Sequence, residues 1–197
     1  MSSLLALIVA TSVLVMIPGP NVALIVANSL KYGFRVGAAT VIGTTLGVAL
    51  QLLLVVLGLA VVIAVAADVL SWIKWAGVVY LLYLGFRTWR EPAGDLGIIA
   101  GAPVMLWRGC LVALLNPKTL LFNAAFIPQF VAGESATATG IGLVALVYLA
   151  VLFLGDLLWA AFASRARRIL GRFGRMRNRL TGAFLAAAGV GLALSRH

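Results

Sequence analysis

Between Arg35 and Asp68 the chain runs for 32 residues without a charged side chain. A helix needs about 20 apolar residues to cross a bilayer, and a soluble domain has little use for an uncharged run of this length. A second such run covers residues 1–30. Composition agrees: 63% of the 197 residues are hydrophobic and 10% charged, against about 25% charged in an ordinary soluble domain. A cytosolic globular domain, a disordered chain and a secreted disulfide scaffold are excluded, which leaves an integral membrane protein. None of the runs alternates as an outer-membrane barrel strand does, so the spans are helices.

The expected fold is an all-α, single six-helix transmembrane domain over 1–197. Spans fall at about 4–29, within 36–67, and at about 69–87, 109–131, 139–163 and 180–195. The N-terminal run lacks a basic leader segment and continues past Pro18-Gly19-Pro20, so it reads as a span and not a removed signal. Cys110 is the one cysteine and His197 the one histidine. No disulfide or His/Cys metal cluster follows from them, and no cofactor is called for.

Net charge is +10, and its distribution orients the chain. Lys31 and Arg35 lie in the first loop. Arg87, Arg90 and Arg108 flank the third. Arg165, Arg167, Arg168, Arg172, Arg175, Arg177 and Arg179 crowd the fifth. The even loops and the C-terminus carry only Lys74 and Arg196. Basic loops stay cytoplasmic, so the cytoplasmic loops are 31–35, 88–108 and 164–179, and both termini face outward. The Arg-rich fifth loop abuts two apolar spans, which fits anionic lipid as its partner and not nucleic acid.

Each half of the chain opens on a proline-interrupted helix: Pro18-Gly19-Pro20-Asn21 in the first, Asn116-Pro117-Lys118-Thr119 in the second. Each continues into a helix that starts Gly-rich and ends in one with spaced glycines (Gly77 and Gly85; Gly182 and Gly189). This suggests two repeats, 1–90 and 105–197. Three spans is an odd number, so the second copy inserts upside down, an inverted 3+3 repeat with broken first and fourth helices. Such paired breaks point to a transporter's binding site. Proline cannot donate to the carbonyl four residues back. Pro18 therefore frees the carbonyl of Leu14, Pro20 that of Met16 and Pro117 that of Ala113. In hydrocarbon each costs several kcal/mol unless something pairs with it, and a cationic substrate group or water in a cavity would serve.

Depth brings the candidates together. Lys118 is ten residues from Arg108, Asp156 nine from Arg165 and Pro20 eleven from Lys31, or about 15, 14 and 17 Å along a helix. Half the hydrocarbon core is about 15 Å. Ionisable residues at that depth cost roughly 2.5–3.5 kcal/mol or more each and normally face a partner or a wet cavity. Asp156 reads as a carrier of a proton or a substrate ammonium, and a static pair with Lys118 is the alternative. Thr44 and Thr45 lie at similar depth. Gly43 and Gly47 form a GxxxG match for close packing. Gln51, Asn28 and Asn123 read as interhelical hydrogen bonds, and the five tryptophans, Trp72, Trp75, Trp89, Trp107 and Trp159, as interface anchors.

Pro18-Gly19-Pro20-Asn21 followed by Tyr32-Gly33-Phe34-Arg35 and Gly37 resembles the LysE/RhtB family of amino-acid exporters. So do Leu115-Asn116-Pro117-Lys118 with Phe122, the run Ile127-Pro128-Gln129-Phe130, and the third span from Trp75 to Gly85. The resemblance covers the whole chain. One departure is Asn123, where the family carries an apolar or aromatic residue. The resemblance implies a six-helix protein of the bacterial inner membrane that exports amino acids or close derivatives, coupled to proton influx. Known substrates range over lysine, arginine, threonine, homoserine, leucine and cysteine-pathway metabolites.

The expected function is thus secondary export with alternating access. Lys118 and the helix N-terminus after Pro20 would hold the substrate carboxylate. The freed carbonyls, Asn21, Asn116 or Asp156 would meet its ammonium. Partners are a small amino-acid substrate, protons and lipid, with a homo-oligomer left open. A passive channel and an exporter of another small molecule remain alternatives. A membrane enzyme would need acid clusters or a His pair, and the five acidic residues, Asp68, Glu91, Asp95, Glu134 and Asp156, are scattered.

Overall fold

The computed structural model describes residues 2–56, 67–90, 102–130, 137–170 and 174–194. Among these there is helix and no strand. In chain order the helices are α1 (Ser2–Met16), α2 (Pro20–Tyr32), α3 (Phe34–Leu54), α4 (Ala67–Arg90), α5 (Ala102–Leu114), α6 (Pro117–Ala125), α7 (Ile127–Phe130), α8 (Ala138–Leu170) and α9 (Gly174–Leu194).

Both expected breaks are present. Ser3–Met16 and Pro20–Tyr32 meet at 58°, and Pro103–Leu114 and Pro117–Phe130 at 55°. The second limb of each pair begins with proline in its first turn, where the missing N–H costs nothing and the fixed φ suits a helix start. Gly33 alone joins α2 to α3. Its φ of +92° is a conformation that other residues resist, and its N–H closes α2 on the Ser29 carbonyl at 2.9 Å.

Helices α3 and α8 (Ala138–Arg167) are long and apolar enough to cross a membrane, and each bent pair can serve as one further crossing. α9 contributes a shorter apolar stretch, Asn178–Leu194. By length and composition the described residues thus supply up to four crossings, against six expected from the sequence. Parts of two expected loops, 91–101 and 171–173, lie outside the described residues, as do Glu91, Asp95, Glu134 and Arg172. The described ends of the expected loop 164–179 are helical: α8 runs to Leu170 and α9 starts at Gly174. The arginines, alanine, isoleucine and leucine of 165–170 are adequate to good helix formers, so the helix outlasts the apolar span.

The surface is apolar. Leu146, Leu154, Leu158 and Phe162 stand exposed along α8, which water would penalise and lipid tails accept. α2 is the opposite case, buried at every position from Pro20 to Lys31. It packs on α4 and α9 through Ala23 and Ala27, and on α8 and α3 through Val22, Val26 and Ile25. A separate cluster joins α1, α3, α5, α7 and α8 around Leu7, Val48, Ala113, Ile127 and Tyr148.

Small residues set two tight crossings. A Cβ on Gly43 would strike the backbone carbonyl of Leu106, and one on Gly109 would lie 2.6 Å from that of Thr40, so α3 and α5 touch backbone to backbone, as a GxxxG pattern allows. Likewise a Cβ on Gly85 would lie 2.9 Å from the Gly182 carbonyl, and one on Gly182 2.7 Å from that of Gly85, which seats α9 on α4.

Candidate functional site

Two of the three carbonyls that the prolines release, those of Leu14 and Ala113, are met by side chains of this chain. At the first break, Lys118 Nζ donates to the carbonyls of Leu14 and Ile17. Leu14 is the residue whose partner Pro18 removes. Trp159 Nε1 donates to the neighbouring Val15 carbonyl at 3.2 Å. At the second break, Gln51 Nε2 donates to the carbonyls of Ala113 at 2.9 Å and Leu114 at 3.1 Å, and reaches that of Asn116 at 3.4 Å. Ala113 is the residue whose partner Pro117 removes. A cation thus mends the first break and a neutral amide the second. An ammonium at the C-terminal end of α1 also meets the negative end of that helix's dipole.

The two helix starts differ. Asn116 caps α6, its side chain accepting from Lys118 N at 3.1 Å, as N-cap asparagines do. Gly19, the N-cap of α2, makes no side-chain cap. The first amides of α2 thus lack a side-chain acceptor, and a helix start of this kind favours an anion. Asn21, 7% exposed, has a buried Oδ1 without a hydrogen-bond partner.

These groups surround two adjoining cavities. A small one of about 20 Å³ brings Asn21, Asn116, Lys118, Thr119 and Asp156 together on a wall otherwise formed by Gly19 and apolar residues of α1, α2 and α8. It suits one water-sized group. Asp156 is 6% exposed, with Thr44 within hydrogen-bonding reach and Lys118 its charged neighbour. The second cavity is about 520 Å³. Pro18, Gly19, Pro20, Pro117 and Lys118 form one side of it, and α9 the other. Every residue singled out from the sequence as a site candidate therefore borders one of these two spaces. Gly19 and Lys118 border both.

Several participants were less visible in the sequence. Gln51 reads there only as an interhelical hydrogen bond, but it holds the second break together and its Oε1 accepts from Asn123 Nδ2 at 3.4 Å. Its signal was a lone amide deep in an uncharged run. Asn28 does bond between helices, donating to Thr40 Oγ1 at 2.9 Å. Trp72, Trp75, Trp89 and Trp107 are exposed, as interface anchors should be. Trp159 is a correction to that reading: it is partly buried against α1 and α2, because its indole N–H satisfies a carbonyl beside the break. Thr45 Oγ1 is buried without a partner and borders neither cavity.

The family model described as LysE type translocator matches residues 12–196. An uncharacterized membrane protein of Bacillus subtilis, YrhP, is 29% identical over 99% of this chain and 100% of its own length. A protein of Salmonella typhi named homoserine/homoserine lactone efflux protein is 31% identical over 64% of this chain and 63% of its own. The cysteine/O-acetylserine efflux protein of Escherichia coli K12 is 26% identical over 85% and 86%. No solved structure matches the chain. With broken apolar helices and a match from residue 12 to residue 196, this is a multi-pass membrane protein belonging to the LysE type translocator family.

Proposed function

We propose that the protein exports an amino acid or a close derivative across the bacterial inner membrane, by proton antiport with alternating access. The observation that carries this reading is Lys118. Its ammonium holds carbonyls freed by the opposite break, in a pocket shared with Asp156 and Asn21. The direct hydrogen bonds of Lys118 go to backbone oxygens, with Asp156 as its charged neighbour, and a substrate carboxylate can outcompete those oxygens, because hydrogen bonds between charged partners are about twice as strong as neutral ones.

The substrate carboxylate binds Lys118 and the uncapped start of α2. The ammonium takes the pocket between Asp156, Asn21 and Asn116. The carbonyls of Leu14 and Ile17, occupied by Lys118 before substrate arrives, become available as Lys118 turns to the carboxylate. A proton arriving from outside neutralises Asp156, weakens its hold on the ammonium and releases substrate outward. The names of the Salmonella and Escherichia relatives, both efflux proteins for amino acids or derivatives, support the direction and the substrate class.

The reading includes six spans, an inverted repeat of 1–90 and 105–197, and both termini outside. The near-equal bends of 58° and 55° support the repeat. Binding and release need no bond-making step, so the protein is a transporter and not an enzyme.

The test is export of a labelled amino acid from proteoliposomes with and without an inward proton gradient. Wild-type export accelerates with the gradient. Asp156→Asn loses that acceleration, with coupled export down about tenfold or more. Equal gradient-driven export by wild type and variant would remove Asp156 from coupling, and flux that only ever runs downhill would favour a channel.

A further inference from the structure

The two adjoining cavities differ in chemistry, and the difference bears on which amino acids the site accepts. The smaller pocket carries the acid and the amides, Asp156, Asn21 and Asn116. The 520 Å³ cavity beside it falls in the size range of small-molecule sites, and among the described residues Lys118 is the one charged side chain on its wall. Opposite Lys118, α9 presents Phe184, Ala187, Ala188, Gly191 and Leu192. A Cβ on Gly191 would meet nothing within 4 Å. Glycine is therefore not required there by packing, unlike Gly85 and Gly182, and what its absent side chain leaves is room in the cavity.

We infer that this cavity is the side-chain subsite, that it selects amino acids with uncharged side chains over basic ones, and that Gly191 sets the size it admits. The inference rests on the proposed export function and narrows its substrate. With the head group at Lys118 and Asp156, the adjoining 520 Å³ space offers the side chain room across Gly19 toward α9. A lysine or arginine side chain placed there would bring a second cation beside Lys118 and would face alanine, glycine, leucine and phenylalanine. Like charges repel strongly away from water, and a buried cation without a counter-ion is costly. An aliphatic side chain would instead gain burial on the same wall, about 0.8 kcal/mol per methylene.

The experiment is exchange by the full chain in proteoliposomes loaded with unlabelled leucine, with labelled alanine, leucine and lysine offered outside. Wild type exchanges leucine at least about tenfold faster than lysine. Gly191→Leu lowers the leucine-to-alanine ratio by about tenfold or more, and Gly191→Ala lowers it in the same direction by a smaller factor. If the leucine variant does not reach the membrane, the alanine variant carries the comparison. Lysine exchanging as fast as leucine overturns the inference. So does a ratio unmoved in the variants, the result expected if a lipid tail or a second copy of the chain fills the cavity. Either leaves amino-acid export standing, whereas no exchange of any amino acid by wild type would sink the export reading as well.

Discussion

Gln51 and Lys118 perform one task by different means, and the difference separates scaffold from site. Both supply N–H groups to carbonyls that proline has orphaned. Gln51 is 1% exposed, brings no charge, and has its own oxygen facing Asn123. It is a fixed repair. Gln51→Leu leaves the Ala113 and Leu114 carbonyls short of a donor, at roughly 1–3 kcal/mol. The thermal unfolding midpoint of the purified protein in detergent should fall by roughly 2–12 °C, and an unshifted transition would show that those carbonyls find another donor. Much of this was legible beforehand. Proline chemistry alone names the carbonyls of Leu14, Met16 and Ala113 as in need, and side chains answer those of Leu14 and Ala113. Which residues answer was not legible, because Gln51 is 62 positions from Ala113 and Lys118 104 from Leu14. Contacts at that range depend on how helices pack, and periodicity says nothing about it. Trp159 shows the same limit: its spacing suits an interface anchor, and only the approach of α1 turns its N–H inward.

At the scale of elements, uncharged runs and prolines gave the helices and both breaks. They did not give the bend angles, the burial of α2 on all sides or the 33-residue length of α8, all of which follow from tertiary contacts. Each broken pair counts as one crossing if its limbs together span the bilayer. The proposed six crossings would put both ends of the chain on the outer side, with Lys31 and Arg35 within. A reporter active only outside the cytoplasm, fused after Leu194, should be active. One fused in the turn at Gly33 should be silent. The opposite pattern would reverse the orientation, and activity at Gly33 and after Leu194 alike would mean an even number of crossings between them, against the five expected.

For the molecule as a whole, the arrangement is an apolar shell around a polar junction. Helix α2 occupies the middle, its start faces both cavities, and α8 and α6 bring Asp156 and Lys118 to it from the second half of the chain. The central claim is that Lys118 exchanges backbone carbonyls for a substrate carboxylate. The direct measurement is solid-state NMR of the reconstituted protein, with ¹⁵N in the lysine side chains and an amino acid ¹³C-labelled at its carboxyl. The account predicts a dipolar coupling between that carbon and one lysine nitrogen at ion-pair range, lost in Lys118→Gln. Saturating substrate with no such coupling, or a coupling that survives Lys118→Gln, would contradict it.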